Sequence, residues 1–275
     1  MTCWRGSRWP LGALGVMMAV VVAACGGCLS PGLVTPTPDR ANWSVREQGS
    51  VVEIGYGRDT HYAQYAALHT ESSYFRLVFG PDSGWGTSVV LLPSFWSGGQ
   101  YFQGAPINAD WRIEGDDLIV SFEGDLSTLH VDGEVRLEPP GQDTMVARVA
   151  VTTTGVVALD RRADEAFKPV MLSSMHVSPT LWDTDRAFVD RQVSPIPASG
   201  WIIRLAQSGR TFGLRGGTSS WKRSVPTITI RMDTARPVTG WVTESQDPND
   251  DNLGLWQASD QILSSWSYTL TATKP

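Results

Sequence analysis

From Asn42 onward, apolar and polar positions alternate with period two, and turn residues break the pattern at short intervals. Such alternation predicts half-buried β-strands, because successive side chains on a strand point to opposite faces. Runs rich in β-branched and aromatic residues occupy 50–56 (SVVEIGY), 73–80 (SYFRLVFG), 87–93 (TSVVLLP) and 117–124 (DLIVSFEG). Others lie at 144–155, 169–177, 201–207, 211–216, 227–233, 240–245, 253–259 and 265–273. Gly115-Asp116-Asp117 separates two alternating segments and predicts a hairpin. Asp132-Gly133 is placed like a type I′ turn, with Leu129 and Val131 before it and Val135 and Leu137 after; a long strand with a glycine bulge fits the same letters. The last run, ending in Lys274-Pro275, predicts an edge strand. The best helical pattern, 160–168 (DRRADEAFK), is short.

Many short strands without a long helix predict an all-β protein: one large antiparallel two-sheet sandwich over 41–275, or its supersandwich variant. Two smaller sandwiches joined near 155–169 are the other layout. The 27 glycines and 17 prolines favour turns over helices. A formal charge of −6 argues against a basic nucleic-acid-binding face, so no nucleic-acid partner is expected. Cysteine occurs only at positions 3, 25 and 28, so no disulfide forms within 41–275.

The N-terminus reads as an address. Arg5 and Arg8 precede an apolar run from Leu11 to Ala24, which predicts a signal peptide over 1–24. That run is shorter than the ~20 residues of a membrane-spanning helix. Its end, Val22-Ala23-Ala24-Cys25, resembles the lipobox of bacterial lipoproteins. The resemblance implies cleavage before Cys25, diacylglycerol on its thiol and a fatty acid such as palmitate on the new amine. It also implies a lipid-anchored, extracytoplasmic place in the bacterial cell envelope, with the membrane as a partner. Losing both arginines would take the formal charge to about −8. Residues 25–40, rich in Pro, Gly, Ser and Thr, then form an extended tether. Cys25-Gly-Gly-Cys28 is in the wrong context for a redox dithiol, which belongs at a strand-to-helix junction.

Strong catalytic motifs are missing: there is no Gly-x-Ser-x-Gly elbow, no His-Glu-x-x-His and no phosphate loop. The histidines are His61, His69, His130 and His176. His61 and His69 are expected at solvent or rim positions. His176 ends a strand pattern shortly before Trp182 and Asp183, where it would orient a sugar or act as a base with Asp183, or simply pack at a loop. Trp85, Trp96 and Trp182 sit in loop-like Gly/Ser/Pro-rich context, and Tyr101 lies near Trp96. Exposed rings beside polar groups suit carbohydrate, because sugar C–H faces stack on rings; rings that cover the ends of the sandwich are the competing reading. Asp247, Asn249 and Asp251 alternate in an acidic loop, a weak calcium pattern. That loop has Asn252 and Ala258 where an EF-type loop needs Gly and Glu, and a solvated hairpin loop fits it as well. No other cofactor is expected.

Large secreted sandwiches with loop aromatics are loosely similar to the mutarotase-like proteins, which include aldose epimerases and polysaccharide lyases. Fold likeness does not carry function. The leading expectation is a membrane-anchored sandwich that binds carbohydrate without catalysis. A sugar-active enzyme using His176 and Asp183, and a structural envelope or adhesion module, are the alternatives.

Overall fold

The computed structural model describes residues 42–57, 64–78, 86–141, 143–160, 170–177, 184–195, 202–203, 208–216, 227–234, 238–244 and 253–273. These residues form two antiparallel sheets, as the period-two pattern predicts, and no helix.

An antiparallel meander opens the first sheet: β1 (Trp43–Gln48), β2 (Val51–Tyr56), β3 (Gln64–His69), β4 (Tyr74–Val78) and β5 (Gly86–Val90). A small hairpin follows, β6 (Ser94–Ser97) and β7 (Gln100–Phe102). The chain then lays down a second meander in the other sheet: β8 (Ile107–Glu114), β9 (Asp117–Leu126), β10 (Leu129–Leu137) and β11 (Thr144–Thr154). From there it alternates between sheets. The first sheet receives β12 (Val170–Val177), β15 (Ile202–Ile203), β16 (Ser208–Gly209), β19 (Val238–Glu244) and β20 (Leu253–Ser259). The second receives β13 (Thr184–Val189), β14 (Gln192–Pro195), β17 (Thr211–Gly216), β18 (Thr227–Asp233) and β21 (Ser265–Thr273).

The resulting orders are β1-β2-β3-β4-β5-β12-β20-β19-β15, with β6 pairing with β12 and β16 with β19, and β14-β13-β17-β18-β21-β11-β10-β9-β8. Strands from before and after 155–169 therefore pair within both sheets, β5 with β12 and β11 with β21. No boundary between two successive sandwiches falls there.

The two inner faces share one apolar core. In β21 Trp266, Tyr268, Leu270 and Ala272 are buried while the residues between them are not. In β11 Met145, Ala147, Val149 and Val151 do the same. Burying a side chain the size of Val149, Leu270 or Met145 stabilises the fold by ~1.5–3 kcal/mol relative to exposure, and an alanine methyl by about 0.8 kcal/mol. Polar ties also join the sheets. Trp43 Nε1 donates to the Asp116 carbonyl at 2.7 Å, and Tyr65 OH to that of Glu138 at 3.1 Å. Burial raises the pKa of Tyr65. Within the core, Ser173 Oγ, both amide atoms of Gln257, Trp266 Nε1 and Tyr268 OH have no hydrogen-bond partner among the described residues. Burial again holds the Tyr268 phenol neutral, and Ser173 lies near enough to temper this without an aligned hydrogen bond.

Of the two sequence readings of Asp132-Gly133 the long strand holds, without a bulge, and the edge position expected for the last strand is corrected. Asp132-Gly133 is not a turn but the middle of the unbroken strand β10. The reversal comes at Ser127-Thr128, between the paired Leu126 and Leu129, with Ser127 at φ 60°. Likewise β21 is no edge strand, since β11 and β18 flank it. The Gly115-Asp116 turn lies where the pattern put it, between the paired Glu114 and Asp117.

Candidate functional site

Two described surfaces concentrate functional chemistry. The first is the β6–β7 hairpin. Ser97 pairs with Gln100, leaving Gly98 and Gly99 as a two-residue loop at φ 58° and 77°. Left-handed φ at both central positions is the type I′ arrangement, which glycine enters without steric cost. The Asp160 carboxylate accepts the N–H groups of Gly98 at 3.0 Å and Gly99 at 2.7 Å. Its own N–H donates to the Trp96 carbonyl at 3.0 Å, so the turn is clamped from both sides.

Strand alternation then sorts the aromatic residues. Phe95 and Phe102 stack at 5.3 Å on the core side, with Phe95 fully buried. Trp96 and Tyr101 pair across the strands at 5.2 Å and 38°, and Tyr101 is 39% exposed. Nearby, Gln103 Nε2 donates to Tyr74 OH at 3.2 Å. Burial, with a smaller contribution from Tyr101, pushes the Tyr74 phenol up to about 12.

The second surface is the outer face of β8–β11. It forms an open cleft of about 530 Å³ lined by Asn108, Asp110, Glu123, Asp132, Glu134 and Thr152, among others. Ala150 lies directly across from Glu134, where a short side chain keeps the centre low. Charge is divided along this face. Towards one end Arg112 bridges Glu114 and Glu134, each at 2.8 Å. Arg136 bridges Glu114 at 2.9 Å and Asp117 at 3.0 Å. Towards the other end stand Glu123, Asp125, His130 and Asp132, and no Lys or Arg ion pair reaches them among the described residues. Asp125 Oδ1 lies 2.7 Å from His130 Nδ1; a carboxylate oxygen accepts, so Nδ1 carries hydrogen. His130 Nε2 stands 3.4 Å from Asp132 Oδ1. The hydrogen bond to Asp125, reinforced by both aspartates' charge, raises the His130 pKa above its ordinary value. The stability that this pairing contributes is fully present below that ordinary value and is lost as pH rises through the raised one.

Of the residues singled out from sequence, the structure brings together Trp96 and Tyr101. It corrects their setting: they stand on paired strands, not in a loop. His176 lies near the end of β12, opposite Ser88 of β5 and Gly254 of β20; its side chain is outside the described residues. Cys25, Trp85, Trp182, Asp183, Asp247, Asn249 and Asp251 also fall outside them. His69 is half-buried at the end of β3, and burial with Arg76 nearby lowers its pKa. The cluster of Glu123, Asp125, His130 and Asp132 was missed in sequence because a turn at Asp132-Gly133 scatters these residues. Once the turn is moved to Ser127-Thr128, period two places all four on one face.

Fold and surfaces together define an all-β, antiparallel two-sheet sandwich with an aromatic pair of half-buried Trp96 and exposed Tyr101 and a charged outer cleft. No protein-family model and no curated protein matches the chain. Among solved structures, the Slr1438 protein from Synechocystis sp. PCC 6803 is similar at 10% identity and a TM-score of 0.32, covering 88% of this chain and 100% of that one. A likeness at that level carries no functional argument.

Proposed function

We propose that this chain is a lipid-anchored extracytoplasmic protein whose sandwich binds carbohydrate, with Trp96 and Tyr101 as the ring contacts. The anchor rests on the Val22-Ala23-Ala24-Cys25 pattern. The binding reading rests on one observation: an aromatic pair faces outward on a hairpin whose turn is clamped by Asp160. Rings held in place before a ligand arrives lose little freedom on binding, which favours affinity. The amide of Gln103, two residues beyond Tyr101, supplies groups for sugar hydroxyls.

The experiment is a glycan array probed with the full-length chain in detergent, followed by titration of any glycan retained. Trp96→Ala and Tyr101→Ala should each weaken binding about tenfold or more while the circular dichroism spectrum is kept, since a ring contact contributes ~1 kcal/mol beyond its buried area. Unchanged affinity in both variants would sink the aromatic-face reading. For the anchor, Cys25→Ser should abolish incorporation of radiolabelled palmitate and release the protein from membranes. Acylation that persists in this variant overturns the lipobox assignment.

A further inference from the structure

The ladder of β9 and β10 sets Glu123 directly opposite Asp132, and Asp125 directly opposite His130. Like charges directly opposite on a sheet face repel and destabilise it. The arginines that neutralise Glu114, Asp117 and Glu134 pair within their own end of the face. At the other end His130 is the only basic side chain in contact with the carboxylates among the described residues. The arrangement is therefore short of positive charge where three carboxylates converge.

The imidazole is oriented in a way that a plain ion pair does not need. Asp125 holds Nδ1–H at 2.7 Å and thereby turns Nε2 towards Asp132, at 3.4 Å. A separation of 3.4 Å is long for a hydrogen bond. It is, however, the spacing of two ligands on one tetrahedral ion with bonds of about 2.0–2.1 Å. Ligand atoms of Glu123, His130 and Asp132 all lie within 4.8 Å of one another. Glu123 is exposed, and its Oε1 accepts from Asn108 Nδ2 at 3.2 Å, which leaves Oε2 to close the remaining gap. A carboxylate on the far nitrogen of a ligating histidine is the usual outer support of such sites. The open side gives onto the cleft that Glu123 and Asp132 line, leaving room for water or a substrate oxygen in the remaining position.

We propose that Glu123, His130 and Asp132 form a divalent transition-metal site, with Asp125 positioning His130 and the cleft supplying the open coordination position. An imidazole nitrogen beside two carboxylates favours zinc or a similar ion over calcium, which takes oxygen ligands. The site is separate from the Trp96–Tyr101 face, and its test does not depend on glycan binding.

The test is calorimetric titration of the full-length chain with Zn²⁺ alone, with Ca²⁺ as comparison. One saturable Zn²⁺ site is expected, with an NMR perturbation at His130 Nε2 that excess Ca²⁺ does not reproduce. Asp125→Asn should weaken binding by about 10- to 100-fold, and His130→Ala or Asp132→Asn should abolish the site. All three positions are solvent-facing, so an unchanged melting curve verifies folding. Cys28→Ser, which removes the tether thiol, and Glu114→Gln, at the arginine end, should bind Zn²⁺ like the unaltered chain. The proposal is overturned by an absence of saturable binding, by binding that survives His130→Ala, or by binding lost in Cys28→Ser. Tighter binding of Ca²⁺ would overturn it equally.

Discussion

Trp43→Ala is expected to lower the unfolding free energy by about 3–5 kcal/mol, the range for removing a large buried aromatic side chain. Three contacts justify placing it there. The indole is 4% exposed. It meets Tyr56 edge-on at 4.7 Å and Tyr65 at 5.3 Å. Its Nε1 donates to the Asp116 carbonyl in the β8–β9 turn, so the side chain ties β1 to the opposite sheet. Trp43→Phe keeps a ring but loses the donor. It should recover most of the deficit, leaving about 1 kcal/mol for the hydrogen bond plus the volume lost. Urea unfolding of the three proteins measures both differences. A value within ~0.5 kcal/mol of wild type for the alanine variant would show that β1 unfolds separately from the core.

Gly133→Val should destabilise by about 3 kcal/mol, the upper end of the range for overpacking. A Cβ at this position would lie 2.3 Å from Phe122 Cζ and 2.6 Å from the Ala150 carbonyl oxygen. The ring can give way, but the carbonyl belongs to β11, and moving it disturbs the β10–β11 ladder. Combining Gly133→Val with Phe122→Leu should therefore restore part of the loss, and a double-mutant cycle would show coupling. Gly213 repeats the device: its Cβ would lie 2.1 Å from Phe188 Cζ on the neighbouring strand. A neutral Gly133→Val would mean that the ring does not cover this glycine and would reopen the turn reading of Asp132-Gly133.

That glycine shows where reading the chain in one dimension stops. Asp-Gly between alternating segments carries the same letters whether it reverses the chain or sits beneath a neighbour's ring. Only the partner strand distinguishes them, because Phe122 comes to lie opposite Gly133 through pairing. The turn at Gly115-Asp116 was legible because its signal is local: the glycine takes φ 64° there. The turn at Ser127-Thr128 carries no such letter, since Ser127 adopts φ 60° under the constraint of the hairpin. Moving that one turn by five residues is what gathers Glu123, Asp125, His130 and Asp132, so the error in topology was also the error in the site. Trp96 and Tyr101 were legible as candidates because large rings in a Gly-rich stretch stand out. Which ring faces inward, however, depended on the pairing of β6 with β7.

The sequence by itself determined the all-β class and most of the strands, since period-two burial is written residue by residue. It also carries Val22-Ala23-Ala24-Cys25, the local pattern on which the proposed anchor rests. Tertiary structure alone decided that β21 lies inside its sheet, that the chain alternates between two sheets, and which charges meet across β9 and β10. Those are pairings between distant segments, chosen by how apolar faces cover one another, and alternation along the chain does not name the partner of any strand.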